Sequence, residues 1–94
     1  MICETITIRP AINSDIEDIW HLLHADSKNW NTEHINSQLK NLVVLIKENR
    51  MLGVLYGTLT PDKTKIHWIV IHPMYPEKVL QAVMIQRIKS NTTV

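Results

Sequence analysis

The sequence predicts a mixed α/β domain of the α+β type. Helices are expected to cover both faces of a mostly antiparallel four-stranded sheet. Apolar residues recur at helical spacing in two parts of the chain and form β-branched runs between them. Short polar turns join the three central runs, as in an antiparallel meander. With 94 residues, 45% of them hydrophobic, the chain has the size of one globular domain, and we expect residues 1–94 to form it.

The chain is predicted to begin with a strand and an amphipathic helix. Residues 5–11 alternate Thr and Ile and are closed by Pro10, which favours a strand. Ser14 and Glu17 form an S-x-x-E capping box, so we expect Ser14 to cap the first helix. The apolar stripe of that helix is Ile16, Ile19, Trp20 and Leu23.

A second, short helix is expected to follow, with Thr32 as its cap and with Ile35, Leu39 and Leu42 facing inward. The run 42–46 is continuously apolar and β-branched, which is typical of a buried strand. The polar residues 47–50 then predict a turn.

Two further strands and a helix complete the prediction. Residues 52–59 and 65–72 are the strands, joined by a turn that has Pro61 at its second position. Pro76 suits the first turn of the final helix. The residues of that helix expected to face inward are Val79, Val83, Met84 and Ile88.

Composition excludes several classes of function. A net charge of +1 with scattered basic residues produces no positive electrostatic field that would attract nucleic acid, so no nucleic-acid partner is expected. The single cysteine, Cys3, excludes an internal disulfide and has no histidine near it that would activate it. No signal peptide or apolar run of about 20 residues is visible, so we expect no membrane partner and a cytoplasmic location.

Three segments carry a family resemblance. Residues 7–11 with 15–19 match an R-x-A-x-x-x-D pattern, residues 52–57 place Gly53 before apolar alternation, and residues 69–75 read I-x-I-x-P-x-Y. In this order they resemble the GNAT superfamily of N-acetyltransferases. The resemblance implies acetyl-CoA-dependent acyl transfer to the amine of a small molecule or peptide. It also implies cofactor binding along strand four and the next helix, at Ile69, Val70, Ile71, Lys78, Val79 and Gln81.

The phosphate loop departs from the family pattern, in which an arginine or glutamine precedes a glycine-rich turn. Pro76 removes an amide donor, and Glu77 places an anion where a phosphate would bind. Val79 and Gln81 replace glycines and crowd the backbone, while Lys78 alone compensates. These changes predict a degenerate loop and argue against tight CoA binding.

The candidate catalytic residue is His67. In the resembled family a carboxylate near the start of this strand deprotonates the amine, and a histidine can do so near neutral pH. The alternative is a strand histidine with an ordinary hydrogen bond. Trp30 and Tyr56 are the candidate substrate contacts. No metal is expected, because His21 and His24 on one helix face have no third ligand of convincing spacing.

The family's later strands have no counterpart in this sequence, so strand four is expected to lie at a sheet edge. Because an apolar edge strand invites pairing, the sequence predicts a homodimer with Trp68, Val70 or Met84 near its interface. Two functions stay open at this point. One is an N-acetyltransferase that is weak or completed by dimerisation, and the other is an inactive remnant that serves as a binding or interaction module.

Overall fold

A computed structural model describes residues 6–60 and 62–92 of the chain. The element order β-α-α-β-β-β-α matches the prediction. Two 3₁₀ turns, Asn13–Asp15 and Leu39–Asn41, precede α1 and β2. The elements are β1 (Ile6–Pro10), α1 (Ile16–Ala25), α2 (Thr32–Ser37), β2 (Leu42–Lys47), β3 (Arg50–Leu59), β4 (Thr64–Ile71) and α3 (Glu77–Thr92). Cys3 and Pro61 lie outside the described residues.

The four strands form one sheet in the order β1-β2-β3-β4, and every pairing is antiparallel. The hairpin between β2 and β3 closes through Glu48 and Asn49, whose φ angles of 51° and 64° are both left-handed. Two such residues between paired strands are typical of a type I′ turn, whose twist matches that of the strands. The polar turn expected at residues 47–50 is therefore confirmed.

Helices cover both faces of the sheet, so the predicted fold class is confirmed. On one face α1 and α2 pack against alternate residues of the strands; the buried residues there are Ala11, Ile19, Leu22, Leu23, Ile35, Leu42, Val44, Val54 and Val70. On the other face α3 packs against the remaining alternate residues; the buried residues there are Val43, Leu45, Leu52, Leu55, Ile71, Leu80, Met84 and Ile88. None of the helices in the described ranges is long and apolar enough to cross a bilayer.

The helix caps differ from the prediction by one residue each. Ser14 is exposed within the 3₁₀ turn, and Asp15 stands at the N-cap of α1, so the capping box predicted at Ser14 is wrong. The tight turn delays the helix, and the Asp15 carboxylate instead accepts a hydrogen bond from the Ile12 amide at 2.9 Å. In α2 the cap is Asn31, whose Oδ1 accepts from the His34 amide at 2.8 Å.

One of the inward positions predicted for α3 is wrong. Val79 is 58% exposed, whereas Leu80, Met84 and Ile88 are buried. Residues spaced by four lie along one line of a helix, and here that line faces the sheet. Val79 precedes Leu80 by about 100° around the helix axis and therefore points to solvent. Met84 and Ile88 were predicted correctly, and Val83 is half-buried.

An ion pair joins β1 to the start of α1. Asp15 is 5% exposed, and its two carboxylate oxygens accept from the Arg9 guanidinium at 2.7 and 3.0 Å. The hydrogen bond from Arg9 holds the pKa of Asp15 below its usual 3.8, although burial opposes the shift. With the Ile12 amide as a third donor, this carboxylate fixes how the chain leaves the sheet and enters the helix.

We predict that Asp15→Asn lowers the free energy of unfolding by about 1–3 kcal/mol at pH 7, because a buried hydrogen-bonded charge is lost. Since folding lowers the pKa of Asp15, its stabilising effect is complete above pH 3.8. It disappears as the pH falls through the folded-state pKa. Urea unfolding of the wild type and the variant between pH 7 and pH 2 measures both effects. Glu17→Gln on the exposed side of α1 is the control. An equal loss of unfolding free energy in that variant would contradict the stabilising role of the Arg9–Asp15 ion pair.

Candidate functional site

Three aromatic side chains meet on the α1 and α2 face of the sheet, beside β4. The ring centroids of Trp30 and Tyr56 are 5.0 Å apart, those of Trp30 and Trp68 are 5.4 Å apart, and those of Tyr56 and Trp68 are 5.3 Å apart. All three are half-buried. Edge-to-face and tilted pairs at these distances are favourable, because the positive ring edge meets the negative face. We call these three residues the aromatic cluster.

The end of α1 positions Trp30. Ser27 adopts a left-handed φ of 62°, and the Lys28 amide donates to the Leu23 carbonyl at 2.8 Å, the pattern of a Schellman motif. This motif turns the chain back over the sheet, and the Asn31 cap then starts α2. Trp30 lies between the two and also packs edge-on against His34, with centroids 4.2 Å apart.

A β-bulge in β4 positions His67. Tyr56 pairs with Trp68 while the next residue of β3, Gly57, pairs with Ile66, so His67 is the extra residue of β4. The bulge reverses the alternation of side chains. Ile66 packs on the α3 face, whereas Trp68 packs on the α1 face within the aromatic cluster.

His67 is exposed at the bulge, and its ring lies against one member of the cluster, Tyr56. Its centroid is 5.1 Å from that of Tyr56, with the two planes tilted by 36°. The Tyr56 hydroxyl donates a hydrogen bond to Oε1 of Gln38 at 3.3 Å. Gln38 caps the C-terminus of α2, so this bond fixes the orientation of the Tyr56 ring next to His67. An exposed imidazole held against an aromatic ring can take a proton from a group that lies on the cluster.

Gly57 permits the close approach of β3 to the bulge. A Cβ at this position would collide with the Lys65 carbonyl oxygen and would lie 3.0 Å from the Ile66 Cα. Both contacts are with backbone, which cannot move without displacing β4. The sequence indicated a glycine-containing strand, but the partner that requires the glycine is visible only in the sheet.

The cluster carries one cation of its own. The Lys28 ammonium lies 5.0 Å from the centroid of the Trp68 ring and 3.8 Å from an Asp26 carboxylate oxygen. A cation over an indole face is attracted by the ring quadrupole. The outer face of Trp68 therefore already accommodates an ammonium group.

The outer edge of β4 offers backbone groups to a ligand or partner. The His72 amide bonds to the Leu52 carbonyl of β3, so alternation directs the backbone groups of Ile69 and Ile71 away from β3. Gln81 of α3 already donates through Nε2 to the Ile69 carbonyl at 3.4 Å. The side chains of Val70 and Ile71 are buried, so Ile71 offers backbone atoms only. The backbone groups of Val70 face β3, so Val70 offers neither side chain nor backbone at this edge.

The turn between β4 and α3 uses its own amides. The Tyr75 amide donates to the His72 carbonyl at 3.0 Å, and the Met74 amide donates to His72 Nδ1 at 3.1 Å. At the start of α3, Lys78 and Val79 are exposed. The amides of Met74 and Tyr75 are thus engaged within the turn.

The structure brings three predicted site residues together: His67, Trp30 and Tyr56. It places Lys78, Val79 and Gln81 on α3, away from that cluster. Sequence analysis missed Trp68, Lys28 and Gln38 as site residues, because only the bulge and the loop between helices direct them there. Residues 6–60 and 62–92 contain no group of three or more His, Cys, Asp or Glu side chains that could share a metal ion.

Solved structures resemble this chain over more than nine-tenths of its length. The ribosomal-protein-S18-alanine N-acetyltransferase from Escherichia coli has a TM-score of 0.77 and 14% identity, over 94% of this chain and 59% of its own. A GNAT family acetyltransferase from Staphylococcus aureus has a TM-score of 0.63 and 24% identity, over 94% of this chain and 81% of its own. The third is the diaminobutyrate acetyltransferase EctA from Paenibacillus lautus, solved in complex with L-2,4-diaminobutyric acid and coenzyme A. It has a TM-score of 0.70 and 12% identity, over 92% of this chain and 57% of its own.

These likenesses establish the fold. No protein-family profile matches the chain, and no curated protein sequence matches it. The chain has the GNAT fold, and the resemblance noted in the sequence is confirmed at that level. It spans about three-fifths of the length of the Escherichia coli enzyme.

We predict that Gly57→Ala destabilises the fold by about 1–3 kcal/mol, the usual cost of overpacking. It should also change the near-ultraviolet circular dichroism of the aromatic cluster, because β4 must shift at the bulge. Gly53→Ala is the matched control. Its new Cβ would meet the side chains of Ile71 and Met84, which can move. Equal effects of the two substitutions would show that the bulge does not depend on Gly57.

Proposed function

We propose that this chain is an acetyl-CoA-dependent N-acetyltransferase acting on the amine of a small molecule or peptide. The observation that carries the proposal is the position of His67, exposed at the β4 bulge and held over the aromatic cluster. The GNAT fold supports the reaction class, since the structural relatives named above are acetyltransferases. The acceptor is inferred to lie against Trp30 and Tyr56.

In this proposal His67 is the general base. An ammonium group is not nucleophilic, so a proton must leave the acceptor nitrogen before or during its attack, and neutral imidazole can accept it. The aromatic cluster would hold the acceptor ammonium by the same attraction that holds Lys28 over Trp68. Acetyl-CoA, when bound, supplies an activated acetyl thioester.

The residues fit the two ends of acetyl-CoA unequally. The backbone of Ile69 and Ile71 faces outward and suits the amide-containing pantetheine arm, although Gln81 competes for one carbonyl. The phosphate end fits poorly. Pro76 has no amide hydrogen to donate, and Glu77 adds a negative charge at the start of α3. We therefore infer a degenerate phosphate loop and weak binding of CoA.

The test combines calorimetry with an acetylation assay. We expect a dissociation constant for acetyl-CoA well above the low-micromolar range, and acetylation of primary amines at millimolar acetyl-CoA. His67→Gln should lower the rate by about 10²-fold or more, the usual contribution of a general base.

The control is His24→Gln, which removes an exposed histidine of α1 that stacks on Trp20 instead of the cluster. Its rate should equal that of the wild type. An unchanged rate in His67→Gln would remove His67 from the mechanism. Low-micromolar binding of acetyl-CoA would contradict the inference about the phosphate loop.

We also propose that a second copy of the chain pairs with the β4 edge to give a homodimer. In the described part of the chain β4 has a neighbouring strand on one side only, and its residues from Ile66 to Ile71 are mainly apolar. An exposed apolar edge with outward amides is a template for strand pairing. A two-fold axis would pair the two β4 strands and bring Trp68 near the interface, with Val70 and Met84 buried behind it. Because this pairing uses the same outward groups of Ile69 and Ile71 as the pantetheine arm, strand pairing and acetyl-CoA would compete for this edge.

We predict a dimer at high micromolar concentration by light scattering, and a monomer for Ile69→Pro. Proline removes the amide that faces the edge but no bond to β3. Ile69→Val keeps the amide and should stay dimeric. Ile71→Pro removes the other outward amide and serves as a second variant. Circular dichroism checks that each variant is folded. A wild type that is monomeric at this concentration would refute the dimer.

A further inference from the structure

A cavity of about 650 Å³ opens at the end of β4 opposite to the aromatic cluster. It lies between α1, the hairpin turn of β2 and β3, and the turn that leads into α3. His72, at its rim, is five residues beyond His67, which is roughly 16 Å along a strand. The cavity is therefore separate from the proposed acceptor surface, and its volume is that of a small-molecule site.

The three walls differ in chemistry. The α1 wall contributes a carboxylate, the hairpin wall contributes a guanidinium, and apolar side chains lie between them. The residues that matter are Asp18 and Leu22 of α1, Arg50 and Met51 of the hairpin, and His72 and Met74 of the turn.

The two opposite charges on these walls have no charged partner among the described residues. Arg9 and Lys28 each have a carboxylate partner, but Asp18 and Arg50 make no ion pair and no side-chain hydrogen bond within residues 6–60 and 62–92. Both are exposed, and they line one cavity from different walls. A molecule carrying one positive and one negative group would satisfy both at once.

The apolar part of the cavity is incompletely covered. Leu22 is buried, but Met74 is 84% exposed at the rim. Burying such a side chain against an apolar ligand is favourable, because it removes apolar surface from water. His72 is held in one orientation because its Nδ1 accepts from the Met74 amide, so in the neutral ring the proton resides on Nε2.

We propose that this cavity binds a free amino acid with an apolar side chain. Its ammonium group would pair with Asp18, its carboxylate with Arg50, and its side chain would pack against Leu22, Met51 and Met74. A phosphate-rich ligand is less favoured, because it would face the Asp18 carboxylate and an apolar lining, and the nearby turn amides are engaged. The site goes beyond the proposed acetyl transfer and does not depend on it.

The test is calorimetry on the full chain without acetyl-CoA. L-Leucine should bind, whereas isoamylamine, which lacks the carboxylate, and 4-methylpentanoate, which lacks the ammonium group, should bind at least tenfold more weakly. Asp18→Asn and Arg50→Gln should each weaken L-leucine binding at least tenfold. Glu17→Gln and Arg87→Gln remove like charges outside the cavity and should leave the affinity unchanged.

Other outcomes would overturn the proposal. Absence of L-leucine binding, equal affinities for the three compounds, or full affinity in both cavity variants would each do so. Tighter binding of inorganic diphosphate or CoA that displaces L-leucine and requires Arg50 would identify a phosphate site instead. His67→Gln should bind L-leucine like the wild type, so failure of the proposed acetyl transfer and failure of this site are distinguishable.

Discussion

The extra residue in β4 is the constraint on which the candidate site depends. Without the bulge, Ile66, Trp68 and Val70 would share one face, as their spacing in the sequence suggests. With it, Trp68 enters the aromatic cluster, Ile66 packs toward α3, and His67 is left exposed above Tyr56. The bulge in turn requires Gly57, because only a residue without a Cβ allows the Lys65 carbonyl to come so close. One insertion thus positions both the proposed base, His67, and the aromatic surface beside it.

The same strand presents different chemistry at its two ends. Near His67 the surface is aromatic and holds the Lys28 ammonium, which suits an amine. Near His72 the chain satisfies its own turn, since the amides of Met74 and Tyr75 donate to that residue. The cavity beside this turn instead displays the charges of Asp18 and Arg50, which form no ion pair with each other or with any other residue that the structure describes. The proposed amino-acid site rests on these two charges, which lie on different walls of one cavity.

The elements that position these groups are fixed by a few polar contacts outside the core. Arg9 and Asp15 tie β1 to the start of α1, and α1 ends in a Schellman motif at Ser27. Together these contacts position α1 over the sheet and the loop between α1 and α2 over Trp68. Because both contacts satisfy backbone or charged groups that would otherwise be costly to bury, they determine where the chain turns, while the apolar faces determine which side it covers.

The sequence by itself determined the class and order of the elements, because apolar spacing reports which residues must be buried. It also placed Met84 and Ile88 in the core, and it identified His67, Trp30 and Tyr56, which the fold brings together. It missed the caps at Asp15 and Asn31, the exposure of Val79, and Trp68 as a site residue. These depend on contacts between distant segments: a tight turn that delays α1, the direction in which α3 meets the sheet, and one residue of register between β3 and β4. Periodicity cannot encode such contacts, since it describes each segment alone, and only the packed sheet decides them.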